Sequence, residues 1–199
     1  DGQGHKESIT IDLTINKVND PVAFSGDVSG NGDEDTQITG TLVAVDANDG
    51  LSGDYFSITT GPSNGSADIS ASTGAWTYDP SANYNGPDSF TFEVEDTSQG
   101  ESNIATVDIT INAINDAPVA ESQELIVDED IPAPVILIAT DVDEGDVLTF
   151  SVVSDPTNGV LGGTASDLIY TSNEDYSGVD SFTFVVNDGT IDSEVATVS

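Results

Sequence analysis

The chain has 199 residues, of which 37 are acidic and 2 basic, for a formal net charge of −35. It contains no Arg, Cys or Met, and its single His is His5. Nucleic acid and anionic membranes are excluded as natural partners, because both need a basic footprint; disulfides, thiolate metal sites and imidazole-based catalytic triads in the folded body are excluded by composition.

In chain order, the first patterned segment is Ser8–Asn16, where Ile9, Ile11, Leu13 and Ile15 alternate with Thr10, Asp12 and Thr14. Period-two runs rich in Val, Ile, Thr and Phe read as strands with one buried face. Seven more strands are predicted near 21–25, 36–45, 55–60, 66–71, 75–79, 88–96 and 103–112, with Ser72-Thr-Gly74 as a hairpin turn. Between the first two of these, Asp27, Asn31, Asp33 and Asp35 stand at a spacing that suits a local calcium loop or a plain solvated loop. Trp76 and Tyr78 share a strand face, and Leu168 and Tyr170 take their places later in the chain, which makes the position a core one. Phe182, Phe184 and Val186 repeat the alternation of Phe90, Phe92 and Val94. No stretch has helical periodicity, and no apolar run is long enough to span a bilayer, so direct membrane insertion is not expected.

The acidity also carries a positive signal. Self-repulsion at this charge is costly unless salt or bound cations screen it. The acids are 26 Asp and 11 Glu, and Asp suits turns and short oxygen cages where Glu suits helices. Hard cations are therefore expected. A halophilic surface, with acidity scattered for solubility, is the competing explanation.

Internal repetition organises the whole chain. Asp12-Leu-Thr-Ile-Asn16 recurs as Asp108-Ile-Thr-Ile-Asn112, and Val18-Asn-Asp20 as Ile114-Asn-Asp116. Glu34-Asp35 matches Glu129-Asp130, Asp46 matches Asp141, and Pro62-Ser-Asn-Gly65 matches Pro156-Thr-Asn-Gly159. Tyr84-Asn-Gly-Pro-Asp-Ser-Phe-Thr-Phe92 matches Tyr176-Ser-Gly-Val-Asp-Ser-Phe-Thr-Phe184. The frame that follows is a tail strand of a preceding repeat over 1–16, one repeat over 17–112, and a second over 113–199. The second stops early, because Ala196-Thr-Val-Ser199 aligns with Ala105-Thr-Val-Asp108 and the counterpart of Ile109–Asn112 is missing. Seven short strands per repeat of about 95 residues fit an all-β, immunoglobulin-like Greek-key sandwich.

The joints Val18-Asn-Asp-Pro-Val22 and Ile114-Asn-Asp-Ala-Pro-Val119 resemble the Asn-Asp-x-x-Pro joint of cadherin repeats. Asp128-Glu-Asp130, Asp141-Val-Asp-Glu-Gly-Asp146 and Asn187-Asp-Gly189 extend the likeness. Together they resemble the bacterial cadherin-like tandem repeats of large RTX-type surface adhesins. The resemblance implies an extracellular or bacterial cell-surface protein, active in adhesion or biofilm attachment, whose repeats are spaced by Ca²⁺-bound joints. Carried over residue by residue, it implies that the central joint uses Glu34 from the first repeat, Asn115 and Asp116 from the linker, and Asp141, Asp143 and Asp188 from the second. An upstream joint would use Asn19, Asp20, Asp46, Asn48 and Asp96, with Asn48 standing where the second repeat has Asp143. Glu129 would belong to a joint downstream.

Partners follow from the same reading. They are neighbouring repeats of one long chain, with surface polysaccharide and homotypic head-to-tail contacts as alternatives. A carbohydrate-binding module needs exposed aromatic platforms, for which Tyr55 and Tyr84 are the candidates if Trp76 is core. A filament subunit would exchange strands, with Ile9–Ile15 of one chain completing the second repeat of the next. Each Asp-Gly or Asn-Gly pair is also an ordinary turn former. Acid pairs abound by chance in such a chain, there is no phosphate loop or paired-His site, and an enzyme is not expected.

Overall fold

Alternation becomes strand wherever a neighbouring edge is available to pair. The computed structural model describes residues 4, 8–15, 22–46, 51, 53–95 and 102–199, and its contacts divide the chain into units Asp1–Ala113 and Ile114–Ser199.

The first unit contains β1 (Ala23–Gly26), β2 (Ser29–Asp33), β3 (Ile38–Val45), β4 (Phe56–Thr60), β5 (Gly65–Ile69), β6 (Ala75–Pro80), β7 (Gly86–Glu95) and β8 (Ser102–Asn112). They form two four-stranded sheets, ordered β1-β3-β6-β5 and β2-β8-β7-β4. Both sheets bury one face, as period-two patterning requires. Phe90, Phe92 and Val94 of β7 are buried, as are Val107, Ile109 and Ile111 of β8, while β6 contributes Trp76 and Tyr78. Trp76 meets Phe90 edge-on with ring centroids 5.8 Å apart, and its indole N–H donates to the Asp27 carbonyl at 3.0 Å.

The second unit contains β9 (Val119–Ala120), β10 (Ala133–Ile136), β11 (Ala139–Thr140), β12 (Thr149–Ser154), β13 (Gly159–Thr164), β14 (Asp167–Ser172), β15 (Phe182–Asn187) and β16 (Ala196–Val198). Its sheets are ordered β10-β14-β13, β12-β15-β16 and β11-β9. The long β3 of the first unit is matched here by two short pieces, β10 and β11, on either side of Leu137 and Ile138. Phe182, Phe184, Val186, Val135, Leu137 and Leu168 make the core.

The two units solve one packing problem differently. Gly40 faces Trp76 across β3 and β6, and a Cβ on Gly40 would lie 2.3 Å from the indole. In the second unit Val135 faces Leu168 in the matching register. A large residue against a hydrogen is replaced by two medium ones, which keeps the volume of the layer nearly constant.

Two segments depart from expectation. Residues 8–15 form no strand, and Ile9, Ile11, Leu13 and Ile15 are 81–86% exposed; alternation without a paired edge does not make a strand. Asn16, the end of that expected tail strand, lies outside the described residues. The segment read as a calcium loop contains β2, which runs parallel to β8 from Ser29↔Asp108 to Asp33↔Asn112. Its polar side chains are used separately. The Asp27 carboxylate accepts the Thr41 N–H, Asn112 donates its side-chain amide to Asn31 and Asp33, and the Asp35 carboxylate accepts the Asn83 N–H.

Candidate metal centre

Asn115 and Asp116 open the second unit, Asp141 follows β11 directly, and Asp188 follows β15. Strand ends on one side of the unit thus deliver their acids to one place. Asp141, Asp146 and Asp188 each present a carboxylate oxygen, and the three oxygens lie within 4.8 Å of one another. Two oxygens bound to one Ca²⁺ at about 2.3–2.6 Å lie at most about 5.2 Å apart, so the cluster has the span of a single ion's ligands.

Hydrogen bonds preset the cluster. Asp188 is 8% exposed. Its Oδ1 accepts the Ile191 N–H at 2.7 Å and also that of Thr190, while its Oδ2 accepts the Asn115 side-chain amide at 2.8 Å. The Ile191 N–H and the Asn115 amide, with smaller help from Thr190, hold its carboxyl below the usual carboxylate range despite burial. The same Asn115 amide donates to the Asp116 carbonyl at 3.0 Å. Asp141 Oδ1 accepts the Asp143 N–H at 3.0 Å, whereas Asp141 Oδ2 is buried without a hydrogen-bond partner. A buried lone carboxylate oxygen is expensive unless a cation completes it. Asp143 Oδ2 accepts the Asp116 N–H at 2.7 Å, so Asp143 ties the linker to the cluster. Asp146 is exposed. Desolvation, followed by the charges of Asp141, Asp143 and Asp188, raises its carboxyl above the usual range. With 2 basic residues against 37 acids, the chain has few cations of its own for such a site. The donor set is all oxygen and mostly carboxylate, which fits Ca²⁺ and not a soft metal.

The sequence expectations distribute as follows. Asn115, Asp116, Asp141, Asp143 and Asp188 are brought together in the second unit. Asp146 joins them and was not among the expected ligands. Gly145, at φ +107°, turns the chain so that Asp146 comes back toward Asp141; the Glu-Gly-Asp spacing was the available signal. Glu34 lies in the first unit, in the turn after β2, 5% exposed, with its N–H donating to the Asn112 carbonyl at 3.0 Å. Glu129 is exposed in the matching turn of the second unit. Asp46 follows β3 and is partly buried. Asn19, Asp20, Asn48 and Asp96, the rest of the upstream set, lie outside the described residues.

The family described as bacterial Ig domain matches residues 19–110 and again residues 115–199. Comparison with curated proteins gives no match. Among solved structures the chain is similar to Drosophila N-cadherin EC1-4, at 17% identity, over 90% of this chain and 49% of that one, with a TM-score of 0.50. It is also similar to human protocadherin-24 EC1-2, at 15% identity, over 92% of this chain and 98% of that one, TM-score 0.48. An endo-fucoidan hydrolase of glycoside hydrolase family 107 aligns at 22% identity over 90% of this chain, TM-score 0.40. The chain spans only 23% and 28% of the length of two such hydrolase chains. At these identities the likeness is one of fold.

Proposed function

The chain belongs to the bacterial Ig domain family, in two tandem cadherin-like copies, and from that premise we propose that it is a calcium-rigidified extender segment of a secreted or cell-surface bacterial adhesin. The observation that carries this reading is the convergence of Asp141, Asp146 and Asp188 on one point beside the linker residues Asn115 and Asp116. When bound, Ca²⁺ would supply the positive charge that this cluster lacks. The chain's own residues do the rest. Asp188 anchors the turn to Ile191 and fixes Asn115, Asp143 fixes the Asp116 backbone, and Asp141 offers its unpartnered Oδ2. With the cluster neutralised, the linker is held at both Asn115 and Asp116. Without a cation, the same carboxylates repel one another and loosen that hold. The neighbouring repeats of a longer chain are the further partners in this reading. A role in attachment or biofilm formation then comes from reach and stiffness.

Among the described residues no Phe, Trp or Tyr is exposed, and Trp76 is buried in the core. Tyr55 and Tyr84, the candidates for a carbohydrate platform, are half-buried.

The test is small-angle X-ray scattering during a calcium titration at fixed ionic strength, with a magnesium control. Narrowing and lengthening of the distance distribution with calcium alone is the expected result. A response that monovalent salt reproduces would assign the acidity to a halophilic surface and remove the joint mechanism.

A further inference from the structure

One sheet face is polar in the first unit and apolar in the second. Register matches the two strand by strand. The pair β3–β6 corresponds to β10–β14, and β5–β6 corresponds to β13–β14. The inward side chains keep their character, with Tyr78 matched by Tyr170 and Trp76 by Leu168. The outward ones do not. Thr39, Thr41 and Thr77 are matched by Pro134, Ile136 and Ile169. On the edge strand Ser66 is matched by Val160 and Asp68 by Gly162, and beside it Asp79 is matched by Thr171.

The replaced residues are contiguous. Ile169, on the central strand β14, lies between Pro134 and Gly162, with Ile136 and Val160 at the diagonal positions. Ile136 is 61% exposed, Val160 62% and Ile169 46%, and Ile138, just past β10, is 44% exposed. Asp167 stands at one end of the face, opposite Ile136 and Thr164. The chain has 37 acids, and its first unit places Asp68 and Asp79 on this face, where the second has given up both.

The face also carries a projection and a recess side by side. A Cβ on Gly162 would meet nothing nearer than the Ile169 carbonyl oxygen, at 3.9 Å. The strand is therefore open next to the Ile169 side chain. Such a face is self-complementary: a two-fold axis between Ile169 and Gly162 sets the isoleucine of each copy over the glycine of the other.

We propose that this face, formed by Pro134, Ile136, Val160, Gly162 and Ile169, docks on the same face of a second copy of this chain. Charge selects that occupant. An acidic partner surface would bring carboxylates into a contact that cannot solvate them, and a basic one would be drawn to the carboxylates elsewhere on the chain. A second copy of the face brings neither. The contact goes beyond the extender reading and needs no calcium. Four partly exposed aliphatic side chains and a proline supply a few hundred Å², short of the about 800 Å² per partner of a stable interface, so a single contact is weak. Linked repeats that engage together gain by avidity. An isologous contact closes on itself, so it stops at the dimer. Each copy carries a charge of −35, and pairing strengthens as salt shortens the range of the repulsion.

The experiment is sedimentation of the 199-residue chain over a concentration series reaching the millimolar range, at low and high salt, with a chelator present throughout. The expected result is a monomer–dimer equilibrium that tightens with salt and grows no further. Ile136→Thr, Val160→Ser and Ile169→Thr together install the residues that the first unit carries at these positions. That variant should dimerise at least tenfold more weakly, with an unchanged melting profile. Gly162→Ile separates a shaped contact from general stickiness. It adds apolar surface at a position outside the left-handed region and with room for a side chain, yet it fills the recess and should also weaken the dimer at least tenfold. A parent chain that stays monomeric at high salt overturns the proposal. So does a triple variant that associates as the parent does, or a Gly162→Ile chain that associates as tightly or more so.

Discussion

Asp88 Oδ2 accepts the hydroxyl of Tyr78 at 2.9 Å. The same carboxylate takes the backbone N–H groups of Ser63, Asn64 and Ser89 at 3.1, 2.7 and 2.8 Å. Asp180 repeats the arrangement in the second unit with the Tyr170 hydroxyl at 2.9 Å and the N–H groups of Thr157, Asn158 and Ser181. This is why Pro-x-Asn-Gly, a Tyr and Asp-Ser-Phe-Thr-Phe recur together: the acid ties the loop before β5 or β13 to the start of the next sheet's central strand. The glycine of each loop is part of the same device, since a Cβ on Gly65 or Gly159 would strike the tyrosine ring.

All four neighbours of Asp88 donate, and only an ionised carboxylate accepts from all of them. Asp88→Asn turns one acceptor into a donor and should cost the first unit about 2 kcal/mol. Tyr78→Phe should cost about 1 kcal/mol. Trp76 is the only Trp and lies in the first unit, so its fluorescence in a urea titration reports that unit alone. Asp180→Asn should leave the Trp76 midpoint in place and lower a separate calorimetric transition. If Asp180→Asn moves the Trp76 midpoint as far as Asp88→Asn does, the two networks are not independent.

Alkaline pH should weaken the second unit through Tyr170. Burial, then its hydrogen bond to Asp180 and that residue's charge, push the hydroxyl up to about 12 from an ordinary 10.0. An unfolded chain loses this proton near pH 10 and the folded one near pH 12. The stabilisation is thus complete below pH 10 and is lost as pH rises through 12. Asp88 and Asp180 act in the opposite range. Burial alone would raise each carboxyl, but the three backbone N–H groups and the tyrosine hydroxyl together hold it below the usual range. Their contribution is present above about pH 4 and lost as pH falls through the lower folded values. Urea midpoints against pH should show a fall above pH 10 that Tyr170→Phe removes from the second unit's transition. An unchanged alkaline slope in that variant would count against the assignment.

Much of this was open to a reading of the sequence, and the misses have causes. Phe90, Phe92 and Val94 alternate with Thr and Glu, so one face is apolar whatever the neighbours do, and β7 follows. β2 has no such face. Ser-Gly-Asn-Gly-Asp reads as a turn, and only its non-local pairing with β8 makes it a strand. At the site, the resemblance to cadherin repeats marked Asn115, Asp116, Asp141, Asp143 and Asp188, but it could not separate ligands from braces. Asp143 spends one oxygen on the Asp116 N–H, and Asp35 and Asp130 accept the backbone N–H groups of Asn83 and Asp175 at matching turns. Asp146 depended on the turn at Gly145, a backbone angle that composition does not encode.

The Gly40–Trp76 and Val135–Leu168 pairs should be exchangeable as pairs and not singly. Gly40→Val drives a side chain into the indole and should cost about 2–3 kcal/mol. Trp76→Leu leaves a void beside Phe90 and should cost about 3 kcal/mol. The double variant recreates the second unit's pair, and its loss should fall short of the sum by about 1–3 kcal/mol. Gly30 limits the rescue, since its place is taken by Leu125 in the second unit and a Cβ there would also meet Trp76. Calorimetry gives the three values. Strict additivity would mean that the indole and Gly40 do not share the space the geometry assigns them.

Asp146 and Asp188 both contribute to the acidic cluster, yet their removal should look different. Asp146 is exposed, and the charges of Asp141, Asp143 and Asp188 act against its ionised form. Asp146→Asn therefore removes a repulsion, and in chelator the second unit should melt at the same temperature or higher. Its calcium affinity should drop on the order of tenfold, because ligand charge sets affinity in oxygen cages. Asp188→Asn should lose both properties, since Asp188 also holds the Ile191 turn and the Asn115 amide. Calcium isotherms paired with melting in chelator separate the two roles. An Asp146→Asn chain that binds calcium as tightly as the parent would place the ion away from the three converging oxygens, and the rigid-joint mechanism would then need a different centre.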